Sequence, residues 1–288
     1  MLQLVFNGIA MGAIYALVAL GFVMLYNATN VINFAHGEIV ALGAYLCLFA
    51  AVSMGFTPLG GLAAAAAGIA LLAPLIFLLA FYPVRDRPLL AGVVGTIGVG
   101  IALKNILLAA AGPLPHTLPA VFGRGMLDIG GVMLPMQSLG IIAVAALMFA
   151  AHFCYSHMTL TGVMVRASAQ DREMARMVGI RVDRMMVVTF IMSCVIATVA
   201  GFLVAPIVLI SPDMGLPLML KGFIAIVIGG FGSIPGAIVG GFFVGVLEAL
   251  TASYVSSTYR DVFTFLAFIA VMVLMPTGFF GERASRRV

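Results

Sequence analysis

Four charged side chains, Glu38, Lys104, Lys221 and Glu248, fall inside otherwise apolar stretches of this 288-residue chain. A charge at mid-membrane costs at least roughly 2.5–3.5 kcal/mol on insertion scales, so each needs a partner or water. Two of them suggest each other. If the apolar segments 218–234 and 236–254 form a helical hairpin turning near Ser233, Lys221 and Glu248 lie at depths within a few Å, about 14 residues before the turn and about 13 after it. A Lys221–Glu248 ion pair is expected, as a structural clamp rather than a substrate site, since a paired charge needs no ligand. In VINFAHGE, at 31–38, helical spacing puts Asn33, His36 and Gly37 on one face and turns Glu38 away. That argues against a His–Glu relay or metal site unless the helix is broken there. Asn33 can offer hydrogen bonds to a passing polar solute, while the plain alternative has Asn33 and His36 bonding across helices. Thr96, in a stripe of small residues, is a further candidate for the lining of a path.

The stretch GGFGSIPG at 229–236 places four glycines and a proline in an apolar region. They interrupt a helix and free backbone groups that lipid does not tolerate, so this backbone is buried in protein or lines a cavity. Gly230, Gly232 and Ser233 are candidates for a hinge or pore-lining turn; a merely compact helical turn is the alternative. The stretch has neither the lysine nor the preceding strand of a phosphate loop. Both lysines of the chain, Lys104 and Lys221, follow leucine, so Walker A is missing altogether. No nucleophile–base set or metal constellation is apparent, which ranks a membrane enzyme low. Cys47, Cys154 and Cys194 are odd in number and lack ligand spacing, reading as buried small hydrophobes. His116, His152 and His157 fall near segment ends and read as interfacial.

The elements that must position these residues follow from composition. Hydrophobic residues make up 64% and charged ones 8%, against roughly 45–50% and 25% in soluble domains. The first charge is Glu38, and 39–84 carries none. Nucleic-acid binding, disorder, a coiled coil and a disulfide scaffold are excluded, and a β-barrel would need short alternating segments. The expected fold is an all-α polytopic transmembrane bundle, a single domain over 1–288. Apolar segments lie near 2–26, 31–52, 59–81, 89–111, 136–155, 185–210, 218–234, 236–254 and 262–280, a count of eight to ten spans. Segments two, four and the 218–254 pair are candidates for broken or re-entrant helices. The apolar start lacks the basic region of a signal peptide and counts as a first span.

Lys and Arg concentrate in short cytoplasmic loops. Arg85 and Arg87, the five arginines 166, 172, 176, 181 and 184, and Arg283, Arg286 and Arg287 make ten of the fourteen basic residues and mark the cytoplasmic side. The opposite loops near 113–135, 211–217 and 255–261 hold only Arg124 and Arg260. Nine simple crossings put the N-terminus outside, and a re-entrant segment would bring it inside. Small residues at four-residue spacing, such as Gly8, Gly12 and Ala16, Gly236 and Gly240, and Gly241 and Gly245, mark faces of close helix packing.

The charged cytoplasmic loop spans about 156–186. Ser168 followed by Asp171 has the form of a capping box, predicting a short helix from there to about Val178 that ends at Gly179. By itself this reads as a solvated loop helix. With no nucleotide-binding loop in the chain, ATP-driven transport would need a separate ATPase, and a charged cytoplasmic helix is a surface for it to push against.

Glu173, Met174, Ala175 and, after three residues, Gly179 resemble the E-A-A-x3-G coupling motif of bacterial ABC importer permeases, with Met174 in place of the first alanine and no I-x-L-P following. VINFAHGE at 31–38, GGFGSIPGAIVGG at 229–241, PTGFFG at 276–281, YALVALG at 15–21 and RASAQDREMARMVGI at 166–180 together resemble the LivH-type permease of branched-chain amino acid ABC importers, in order over almost the whole chain. The resemblance implies a pore formed with a LivM-like second permease, two cytoplasmic ATPases that use ATP and Mg, and a periplasmic substrate-binding protein, all at the bacterial inner membrane. This chain itself would bind no cofactor. The resemblance makes the 166–184 stretch the coupling segment, with Arg166, Asp171, Arg172, Glu173, Ala175, Arg176 and Gly179 as ATPase-coupling candidates. Leucine, isoleucine and valine are the family's usual cargo, and relatives carry urea, short amides or other small acids. The rival class is an ion-coupled carrier, which would want an unpaired membrane carboxylate.

Overall fold

A computed structural model describes residues 2–84, 89–123, 125–129 and 132–281. Arg85, Arg87, Arg124, Arg283, Arg286 and Arg287 lie outside the described residues. Nine apolar helices correspond to the nine segments: α1 (Leu2–Thr29), α2 (His36–Val52), α3 (Pro58–Ile76), α4 (Leu89–Ala111), α5 (Met136–Met158), α8 (Val182–Val204), α9 (Gly215–Gly229), α10 (Ile234–Tyr254) and α11 (Arg260–Leu274). Between α5 and α8 come the short polar helices α6 (Leu160–Gln170) and α7 (Arg172–Met177). Six helices, α1, α3, α4, α5, α8 and α10, are long and apolar enough to cross a membrane alone. The other three apolar helices, α2, α9 and α11, have 17, 15 and 15 residues, or about 22–26 Å of helix. The expectation of eight to ten spans therefore resolves into six full-length helices and three shorter ones within the same bundle.

Local chemistry accounts for the boundaries. Thr57 caps α3 by accepting a bond from Gly60 N–H at 3.2 Å, with Pro58 at the first helical position. Pro74 lies inside α3, and a π turn over Phe77–Phe81 follows it. The segment read as 262–280 ends as a helix at Leu274. Its PTGFFG tail folds back, and Phe279 and Phe280 N–H donate to the carbonyls of Ile228 and Gly229 at 2.9 and 2.8 Å, capping α9. The 113–135 loop contains an antiparallel hairpin, β1 (Met126–Ile129) with β2 (Val132–Pro135), the sole β-sheet among the described residues.

The core is built around α1. Its apolar window is 89% buried, against 17% for α4 and α5, which makes α1 the axis and those two the periphery. α1 runs antiparallel to α10 along the small-residue stripes: Gly8 lies against Val246 and Ala249, Gly12 against Phe242, and Gly241 against Ala16. A Cβ on Gly12 would stand 2.8 Å from the Phe242 Cα, and one on Gly245 would run into the Gly12 backbone. Lipid and leucine are equally apolar, so this backbone approach, rather than apolar burial, holds the pair together. α9 and α10 form the hairpin that closes the layer, with Gly229 against Gly236 and Gly240 against Ala225.

Overpacking this contact costs about 1–3 kcal/mol or somewhat more. Gly245→Leu is therefore expected to lower the thermal midpoint of the detergent-purified chain, whereas Gly98→Leu, where an added Cβ meets nothing within 4 Å, leaves it unchanged. Differential scanning fluorimetry on the two variants checks the contrast.

Candidate functional site

The cytoplasmic-loop candidates fold into one compact unit. Thr159 caps α6, accepting from Gly162 N–H at 3.0 Å, and α6 runs straight through Ser168 to Gln170. The capping box expected at Ser168 is therefore absent. Ser168 is buried and donates instead to the Met164 carbonyl at 2.8 Å, and the helix start moves to Asp171. Asp171 Oδ1 accepts from Glu173 and Met174 N–H at 2.9 and 3.0 Å, opening a helix of six residues instead of about ten. Gly179 ends the unit at φ +87°, donating to Arg176 O while Ile180 N–H reaches Ala175 O, both at 3.0 Å. That is a Schellman closure, which a β-branched residue could not adopt without strain.

Arg172 Nη2 donates at 2.9 Å to the carbonyl of Ala28, in the last turn of α1. A cation there complements the negative helix end. Ala175 is buried, while Glu173, Met174, Arg176, Met177 and Val178 are exposed, so α7 shows an apolar and charged face away from the bundle. Arg166 pairs with His157 Nδ1 at 3.2 Å on the side of α6. Sequence reasoning named Met174 only as a departure from the motif and missed Met177 and Val178; the signal was that these apolar residues lie beside charged ones on a helix too short to span.

The VINFAHGE segment is not one helix. α1 stops at Thr29, Asn30 takes a left-handed conformation (φ 54°), and α2 starts only at His36. Asn33 therefore shares no helical face with His36; its Oδ1 accepts from Ala35 N–H at 3.0 Å. The His36 ring sits 3.1 Å from the Val18 carbonyl and meets Phe22 edge-on. Thr96 binds the unwound linker from α4, accepting from Phe34 N–H and lying 3.2 Å from the Ile32 carbonyl. All three side chains are buried. Gly230, Gly232 and Ser233 form the α9–α10 turn: φ is +114° and +88° at the two glycines, and Ser233 caps α10 by accepting from Gly236 N–H. Asn27 Nδ2 ties the Gly232 carbonyl to α1 at 2.9 Å, so this turn lies at the α7 end of the bundle. Gly232 and Ser233 line a cavity of about 510 Å³ there, floored by Pro276 and Phe280. Phe223 stands between the two groups of candidate path residues, its ring 6.2 Å from that of Phe34 and 6.1 Å from that of Phe231.

Lys221 Nζ stands 2.6 Å from Glu248 Oε1, and Tyr15 from α1 donates to Glu248 Oε2 at 2.6 Å. Arg260 approaches the same carboxylate at 3.1 Å, and Asp261 approaches Lys221 at 3.3 Å. Two cations and two anions from α9, α10 and α11 balance. Tyr15, Arg260 and Asp261 were missed because the external loop and α1 carry no periodic signal pointing at Glu248. Removing one partner from a buried network costs about 3–5 kcal/mol, whereas an apolar replacement of both is close to neutral. Glu248→Gln is therefore expected to destabilise the chain by that amount, and Lys221→Met combined with Glu248→Leu to recover most of it, as read by thermal unfolding in detergent.

Comparison with known proteins places this geometry. Residues 4–272 match the family model described as the branched-chain amino acid transport system permease component. The high-affinity branched-chain amino acid transport system permease protein LivH of Escherichia coli K12 is 36% identical, over 100% of this chain and 97% of its own length. BraD of Pseudomonas aeruginosa, with the same description, is 33% identical over 100% and 98%. A probable branched-chain amino acid transport permease protein LivH of the archaeon Methanocaldococcus jannaschii is 28% identical over 92% and 88%. No solved structure matches the chain. With its match nearly end to end and its bundle of apolar helices, this multi-pass membrane chain belongs to the family of branched-chain amino acid transport permeases.

Proposed function

We propose that this chain is one of two permease subunits of an ATP-driven importer in the bacterial inner membrane, carrying leucine, isoleucine and valine by alternating access. The observation that carries the machinery is the α6–α7 unit. Asp171 and Gly179 fix both ends of α7, Arg172 anchors it to the end of α1, Ala175 packs inward, and Glu173, Met174, Arg176 and Met177 face outward. Two cytoplasmic ATPases, binding ATP and Mg, would grip that face. A displacement of α7 reaches α1 through the Arg172–Ala28 contact, and α1 carries α10 with it because their backbones are in contact at Gly12 and Gly245. A LivM-like second permease completes the pore, and a periplasmic binding protein delivers the substrate. The cargo reading is supported by the names of the relatives, since cargo selection is assigned largely to the binding protein.

Two experiments test this. In vesicles holding the complete complex, uptake of labelled leucine is expected to fall with excess isoleucine or valine and to be unaffected by urea; competition by urea alone would assign a different cargo to the same machinery. Met174→Asp combined with Met177→Asp places two charges on the exposed face of α7. The pair is expected to cut binding-protein-stimulated ATP hydrolysis by about tenfold, within the usual range of coupling energies, with the permease's thermal midpoint unchanged. Retained stimulation would move the ATPase contact elsewhere.

A further inference from the structure

α2 and α9 both begin inside the bundle, and they begin against each other. The Gly37 and Gly215 backbones touch there, and a side chain on either would collide with the other strand of the contact. Glu38, in the first turn of α2, takes up the room left by Gly215: a Cβ on that glycine would stand 2.6 Å from Glu38 Oε2. Two helix N-termini favour negative charge at this point. Glu38 is 7% exposed, and its Oε2 is buried without a hydrogen-bond partner among the described residues. Lys104, the cation that acts on it, is engaged by Asp213, and an intramembrane carboxylate that must share its counter-charge is costly unless something charged visits it.

The carboxylate lines a cavity of about 510 Å³, within the range of small-molecule sites. One turn along α4 from Gly100, which faces Glu38, Lys104 pairs with Asp213 at 2.5 Å. Lys104 is 42% exposed on the flank of α4, and Asp213 is 75% exposed in the turn before α9. Lipid does not solvate such groups, so this flank faces water or another protein. The remaining walls are apolar, chiefly Ile97, Ile101, Leu216 and Leu220. With one cation against two anions, the cavity lacks one positive charge.

We propose that this cavity is a substrate station on the translocation path, in which Glu38 receives the α-ammonium group of an aliphatic amino acid. Lys104 turns from Asp213 to the substrate's α-carboxylate, and the aliphatic side chain lies against Ile97, Ile101 and Leu216. The assignment rests on the amino-acid reading above and adds to it the residues that would hold the cargo.

Proteoliposomes carrying the complete importer, with ATP enclosed and labelled leucine and the binding protein supplied outside, test the assignment through the ratio of leucine imported to ATP hydrolysed. Wild-type uptake of leucine is measured first, and its absence overturns the amino-acid reading before any variant is compared. Given that uptake, Glu38→Gln is expected to lower the ratio at least about tenfold, the loss of one charge-assisted contact, with stimulated hydrolysis retained and partial recovery in Glu38→Asp. Lys104→Met, on the exposed rim, lowers the ratio without touching the buried carboxylate and serves where Glu38→Gln fails to assemble. Wild-type ratios in Lys104→Met together with proportional loss of uptake and hydrolysis in Glu38→Gln would mark Glu38 as structural and overturn the proposal, as would a wild-type ratio in Glu38→Gln.

Discussion

No backbone N–H or C=O in this chain can be left to hydrocarbon, and most of the architecture follows from how the breaks in its helices satisfy that demand. Where α1 gives way to α2, the exposed linker amide of Phe34 finds the Thr96 hydroxyl. Where α9 ends, its last carbonyls are taken by Phe279 and Phe280 of the returning C-terminal segment. Where α10 begins, Ser233 supplies the acceptor. The first two repairs come from distant parts of the chain, so those interruptions are also cross-links between elements, while the third is local.

The close helix contacts impose a second order on the bundle. α1 is nearly enclosed, and the glycines of α10 let the two backbones meet, so α1 and α10 behave as one body. The network of Tyr15, Lys221, Glu248 and Arg260 joins that body to α9 and α11 about midway along α1. At the C-terminal end of α1, Arg172 and Asn27 tie α7 and the α9–α10 turn to the same helix. A force applied at α7 therefore meets a rigid axis rather than a loose assembly of helices.

Much of this was legible from residues alone, for physical reasons that differ by element. Charge-free runs of apolar residues identify helices because lipid tolerates only helices and closed barrels, and a barrel would need short alternating segments. The hairpin arithmetic set Lys221 and Glu248 at one depth because helical rise is constant. Gly179 was readable as a helix end because only glycine takes its conformation cheaply. The capping box at Ser168 was misplaced: serine can bond back to its own helix as well as cap one, and the preceding LTGVMVRA stretch is helical enough to make the first choice win. Segment two was a candidate for a broken helix, but the place of the break at 30–35 was hidden, since VINFAHGE has no proline or paired glycine to announce it, and what holds it open is Thr96, more than sixty residues away. The setting of Glu38 was equally out of reach, because it depends on Gly215, supplied by a distant helix whose start the hydropathy pattern does not mark.

The contact between Tyr15 and Glu248 spans 233 residues. Seen in the order of synthesis, the first helix enters the membrane with its hydroxyl and its glycine face exposed and waits for the tenth before either is covered. The α9 carbonyls wait longer still, until Phe279 and Phe280 have been added. The contacts of α1 and of the end of α9 are therefore completed only after α10 and the 276–281 segment have been made, and until then α1 remains an unfinished surface.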